Sequence, residues 1–191
     1  MKKVTRGSGI LEGFLARRRT AKASYLLNKS KKEKILDIGC GSYPYFLLNS
    51  NFKERYGIDP SLTTLKIKDI QFAKFDVTKQ KLPFKDNFFD AVTMLAVFEH
   101  LEFKKIPFVL KEIKRVLKND GILVITTPAP WSDKLLHFMA KVGLISKEEI
   151  HEHKHHFGRK DIESTLLDSG FEMVKSGYFE GGVNMWFLVE K

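Results

Sequence analysis

The residues with the clearest chemical potential lie in the run KILDIGCGSYPYF, Lys34 to Phe46. An apolar stretch carries Asp37 near its end, and Gly39 and Gly41 follow, with Cys40 between them. Glycines at a strand end permit positive φ and let a ligand approach the backbone closely. A dinucleotide loop needs G-x-G-x-x-G, and here the third glycine position holds Pro44. A carboxylate two residues before the first glycine is also unfavourable for a pyrophosphate. A P-loop needs Gly-Lys-Ser/Thr, which does not follow. A ligand bearing a cationic amine suits an acidic loop better, and a bare strand-to-helix turn stays open.

Two further carboxylates end apolar runs. Asp59 closes RYGID and precedes Pro60, and Asp76 sits in FAKFDV before Val77. A carboxylate accepts two hydrogen bonds and so suits a vicinal diol. Candidate bases are His100 of EHL and the cluster HEHKHHF, with His151, His153, His155 and His156. Helical spacing would put His151 and His155 on one face, but H-E-x-x-H is absent, so no metal is expected. The cluster reads as a pocket wall, with His155 and His156 as substrate candidates, or as an exposed polar loop.

The elements that must position these groups alternate. KILDIG, RYGID, FAKFDV and FFDAVTMLAV read as strands. YPYFLLNS and SLTTLKI read as helices, the latter with Ser61 near its N-cap. From Lys104 to Lys118 the residues Val109, Ile113, Val116 and Leu117 share one helical face, and NDG is expected to stop that helix. ILVITT follows as a fifth strand. Strands spaced by helices imply βαβ units and a parallel sheet. The rhythm then breaks. RKDIESTLLDSG is a helix, and FEMVKSGYF and VNMWFLVE are strands joined by EGG, which permits only an antiparallel hairpin.

The totals fit one domain. The chain has 191 residues, 43% hydrophobic and 29% charged. No apolar run approaches the ~18 residues of a membrane span. No secretory leader is expected from the N-terminal sequence. Cys40 is the single cysteine. It fits a reducing compartment, so a cytoplasmic location is expected. Residues 1–34 hold 11 Lys/Arg against 2 Asp/Glu, while the remaining chain holds 22 against 21. The basic excess is therefore an N-terminal arm, 1–33, read as a solvated face or as an attraction to an anionic substrate, membrane surface or nucleic acid.

At this point the chain resembles the class I S-adenosylmethionine-dependent methyltransferases of the small-molecule, methyltransferase-11-like type. ILDIGCG is similar to their first motif and YGIDPS to the second-strand motif. FDVTKQKLPFKDNFFDAVTMLAVFEHL is similar to the third- and fourth-strand region, and VLKNDGILVITTP to the fifth-strand motif. The family's usual third glycine falls at Tyr43. The resemblance implies a Rossmann-like, doubly wound α/β fold with a seven-stranded, mostly parallel sheet and an antiparallel C-terminal hairpin strand. It implies S-adenosylmethionine as cofactor, with S-adenosylhomocysteine as product.

Carried over residue by residue, Asp37 is expected near the methionyl amine. Gly39, Cys40 and Gly41 bring backbone to the methionyl and ribose parts. Asp59, with Pro60 beside it, meets the ribose, Asp76 and Val77 meet the adenine, and Leu95 forms an apolar wall. His100 is a weak catalytic candidate. The insertion 128–158 is expected over the acceptor pocket, lined by Trp131, Leu135, Leu136, Phe138 and Met139, or else to be plain helix core. The implied function is methyl transfer to a small-molecule acceptor such as a lipid, sugar or metabolite precursor. Alternatives are an RNA methyltransferase, a cofactor-binding domain without activity, and an NAD-dependent oxidoreductase. An Asn-Pro-Pro-aromatic motif is absent after strand four, which disfavours base methylation.

Overall fold

The computed structural model describes residues 11–62, 67, 69–141, 143–144 and 157–191, apart from the side chains at 12, 134, 138 and 140. The expected helix after Asp59-Pro60 falls largely outside these residues, as do the segment 1–10 and the histidine cluster 151–156.

The described strands are β1 (Lys34–Ile38), β2 (Glu54–Asp59), β3 (Ile70–Lys74), β4 (Phe89–Leu95), β5 (Leu117–Pro128), β6 (Glu172–Phe179) and β7 (Asn184–Glu190). They form one sheet in the order β3-β2-β1-β4-β5-β7-β6. Every pairing from β3 to β5 is parallel, and β7 runs antiparallel to both β5 and β6. This is the Rossmann-like sheet expected from the sequence, with the reversed strand one place in from the edge. β1 and β4 are buried on both faces, which explains why their sequences read as continuous apolar runs rather than alternations.

Helices cover both faces. On one side α1 (Glu12–Leu26) and α2 (Tyr45–Asn49) pack through Ala23, Leu26, Phe46 and Leu47 onto Ile35, Ala91, Val124 and Trp186. On the other, α3 (Ile106–Val116) buries Val109, Leu110 and Ile113 against Leu36, Val92 and Leu123. There α5 (Arg159–Asp168) adds Ile162 and Leu166. Between these last two helices in sequence lies α4 (Asp133–Lys141), inside the insertion.

Two expected boundaries move. NDG does not stop α3: the helix ends at Val116, and Leu117 is already extended (φ −69°, ψ 142°) and paired with Phe89. The register then shifts between Phe89 and Ala91. Gly121 sits in the irregularity, where a Cβ would meet the Lys118 carbonyl oxygen at 2.8 Å. The glycine therefore serves a fold-back inside β5, not a helix cap. FAKFDV is the second. β3 ends at Lys74, and Phe75 turns its N–H to the Asp59 carbonyl at 3.2 Å, which places Asp76 in the turn beyond the strand. Among the described residues no helix is long and apolar enough to cross a membrane.

Candidate functional site

The loop after β1 lies at the carboxyl end of the sheet, beside the point where strand order reverses between β1 and β4. Gly39 and Gly41 take φ of 76° and 69°. A Cβ on Gly39 would lie 2.3 Å from Val97 Cγ2. The position therefore admits no side chain, on conformational and steric grounds alike. Tyr43 is absent from the described residues with positive φ. A tyrosine therefore stands there without backbone strain, and the loop needs no third glycine.

Hydrogen bonds close the loop onto β2. The N–H groups of Gly39 and Cys40 donate to the Ile58 carbonyl at 2.8 and 3.3 Å. The Gly41 N–H donates to Asp59 Oδ2 at 3.0 Å. Asp59 Oδ1 accepts from the Ser61 N–H at 2.8 Å and the Ser61 hydroxyl at 2.5 Å. Asp59 is fully buried, and these bonds make it the organiser of both loops. Pro60 stands exposed beside it.

Asp37 is also buried, and its Oδ1 accepts from the Thr93 hydroxyl at 2.7 Å. Burial pushes its carboxyl up to about 7, Thr93 opposes this, and Asp59 adds to it. Asp37 joins Gly39, Cys40 and Leu95 around one hollow, completed by Tyr45 and Phe46 of α2 and by Ala16 and Arg19 of α1. Cys40 is a buried packing residue whose sulfur faces Gly57, where a Cβ would come within 2.9 Å.

Asp76 is the least enclosed of the three acids. Its Oδ1 accepts from the Thr78 N–H and hydroxyl at 3.0 and 2.6 Å, and Oδ2 pairs with Lys79 at 3.0 Å. The Thr78 hydroxyl chiefly holds its carboxyl below the usual range. Val77 beside it is buried.

The structure thus gathers Asp37, Gly39, Cys40 and Leu95 in one hollow, with Gly41 and Asp59 hydrogen-bonded to each other in the adjoining loops and Asp76 and Val77 beyond the end of β3. Trp131 stands apart, in the short helical turn Pro130–Ser132 against the β6–β7 hairpin. His100 is partly buried in the turn Phe98–His100 after β4. His155 and His156 lie outside the described residues. Arg19 was missed by sequence reasoning. The only signal for it was the basic run Arg17-Arg18-Arg19, which does not say which arginine turns inward.

Residues 36–125 match the family model described as a methyltransferase domain. This match supports a class I S-adenosylmethionine-dependent methyltransferase family for the chain. It is 33% identical over 156 residues to an uncharacterized protein of Methanocaldococcus jannaschii, covering 80% of this chain and 62% of that protein. It is 29% identical to the demethylmenaquinone methyltransferase of Thermotoga maritima, covering 81% of this chain and 73% of that enzyme. A solved methyltransferase from Archaeoglobus fulgidus shares the fold, with a TM-score of 0.70, 17% identity, and 92% and 94% of the two chains covered. The chain spans 62% of the length of the two Methanocaldococcus relatives it matches. The family's cofactor is S-adenosylmethionine, and the chemistry of the residues lining the hollow is compatible with its methionyl end. The hollow has a backbone cradle without side chains at Gly39, a buried carboxylate for an ammonium at Asp37, and a guanidinium for a carboxylate at Arg19.

Proposed function

We propose that this protein transfers a methyl group to a small-molecule acceptor. The observation that carries the reading is the pairing of Asp37 and Arg19 across one hollow walled by Gly39. That arrangement offers opposite charges to an amino-acid end and a bare backbone beside it. Asp37 and Arg19 would hold the methionyl ammonium and carboxylate, Asp59 the ribose, and Asp76 with the Val77 N–H the adenine. When bound, S-adenosylmethionine supplies an already activated sulfonium methyl, so little covalent help is asked of the chain. Its residues must orient the acceptor in line and exclude water. Leu95, the loop and α1 line the hollow and would do the latter. If the acceptor atom is oxygen or nitrogen, a base must also take its proton.

The likeness to a demethylmenaquinone methyltransferase supports a quinone-related ring compound, hence a lipid precursor, over a sugar. The test is transfer of label from methyl-tritiated S-adenosylmethionine into quinone, phenol and sugar acceptor panels. Labelled product from a ring acceptor is expected. Label only in RNA, or cofactor binding with no turnover across all panels, would contradict the reading.

A further inference from the structure

On the assumption that the methyltransferase reading holds, we infer that Glu180, at the tip of the β6–β7 hairpin, is the group that receives the acceptor. Its Oε1 accepts a hydroxyl carried on an aromatic ring that lies against Trp131.

The hairpin is built as a rigid mount. Ala129, just past β5, donates its N–H to the Val183 carbonyl at 2.8 Å, tying the hairpin to the carboxyl end of the sheet. Asn184 opens β7 opposite Pro128, on the same face as Thr126, Leu95 and the cofactor hollow. Its Nδ2 donates to Glu180 Oε2. Glu180 itself is held at φ 55°. Few non-glycine residues persist there unless the surroundings fix them, and such strain gathers at ligand sites.

The side chain is only 9% exposed, yet Oε1 has no hydrogen-bond partner among the described residues. Arg18 Nε lies 4.0 Å from it, beyond hydrogen-bonding range. A buried acceptor left without a hydrogen bond is costly, so Oε1 has capacity for a donor. Thr126 Oγ1, fully buried one strand away on the same face, is likewise without a partner. Polar capacity is thus left over between the cofactor hollow and the hairpin.

The chemistry of the missing donor follows from its neighbours. Burial raises the Glu180 carboxyl, while Asn184 and then Arg19 and Arg18 draw it down. Those guanidinium groups repel an ammonium, so the donor is a neutral group, and on an aromatic ring the simplest is a hydroxyl. Trp131, 58% exposed, has its ring 3.4 Å from where a Cβ on Gly182 would stand. This leaves a bare aromatic surface next to the hairpin, suited to a planar ring.

The probes are phenol and anisole, which differ in the hydroxyl donor. Each is titrated into protein loaded with S-adenosylhomocysteine and followed by the amide signals of Gly181 and Gly182 and the Trp131 indole. Phenol is expected to bind roughly tenfold tighter than anisole, as a hydrogen bond to a charged group gives. Glu180→Gly and Glu180→Asn both suit positive φ and so keep the hairpin folded; each should erase the phenol preference. Trp131→Ala should weaken both probes. Equal binding of phenol and anisole to the wild type, or a preference retained in both Glu180 variants, would overturn the assignment. Loading with S-adenosylhomocysteine is measured first. Failure at that step refutes the cofactor reading rather than the role of Glu180.

Discussion

At the residue scale, Asp37 and Gly39 set the chemistry and the shape of the hollow. The Asp37 carboxyl stands at about 7 in the folded chain against an ordinary 3.8, chiefly through burial. The native state therefore holds this proton longer than the unfolded chain does. Its contribution to stability falls as pH rises from about 4 to about 7 and is level above. Asp37→Asn should raise stability by ~2–4 kcal/mol at about pH 8, read from denaturant midpoints. The same substitution should weaken cofactor binding at least about tenfold by removing an ammonium partner. A proton on Asp37 competes with the ammonium, so wild-type affinity should drop as pH falls through about 7, and in Asp37→Asn that dependence should flatten. Gly39→Ala meets both a φ of 76° and Val97. It should cost more than about 2 kcal/mol, and adding Val97→Ala should restore part of the melting temperature but not the binding. Asp37 and the glycines were legible in the sequence because a strand end fixes them locally. Asp59 as the organiser of two loops was not, since its partner Gly41 lies on another loop and only the sheet brings them together.

At the element scale, the turns that carry the site are locked from behind. Arg115 on α3 reaches the carbonyls of Leu82 and Phe84 at 2.9 and 2.8 Å. It also pairs with Glu112 at 2.7 Å. Glu112 accepts in turn from the Leu82 N–H at 2.9 Å. This fixes the LPF segment between Asp76 and β4. Arg115→Ala leaves Glu112 buried without its cation and should cost about 3 kcal/mol, measured by urea unfolding. Arg115→Lys should recover little, because an ammonium cannot span both carbonyls and the carboxylate. The βαβ rhythm was readable as elements from period alone. Their ends were less so: NDG looked like a helix stop, whereas tertiary pairing of Leu117 with Phe89 ends α3 three residues before Asn119.

At the scale of the whole molecule, the sheet brings together groups that sequence separates widely. α1, β1, β4 and the β6–β7 hairpin contribute Arg19, Asp37, Leu95 and Glu180 to neighbouring parts of one face. The basic run of the N-terminal arm reads in sequence as a solvated face or as an attraction to an anionic partner; in the structure α1 packs Ala23 and Leu26 into the core and brings Arg19 to the lining of the hollow. Removing residues 1–26 should therefore abolish cofactor binding as well as lower stability. A truncated chain that binds as the full one does would show that α1 is only a cover. Titration calorimetry on the full chain decides the nature of the ligand in that hollow. One S-adenosylhomocysteine bound per chain is expected, weakened by Asp37→Asn, with no heat from NAD. Binding of NAD with no binding of S-adenosylhomocysteine would contradict this expectation.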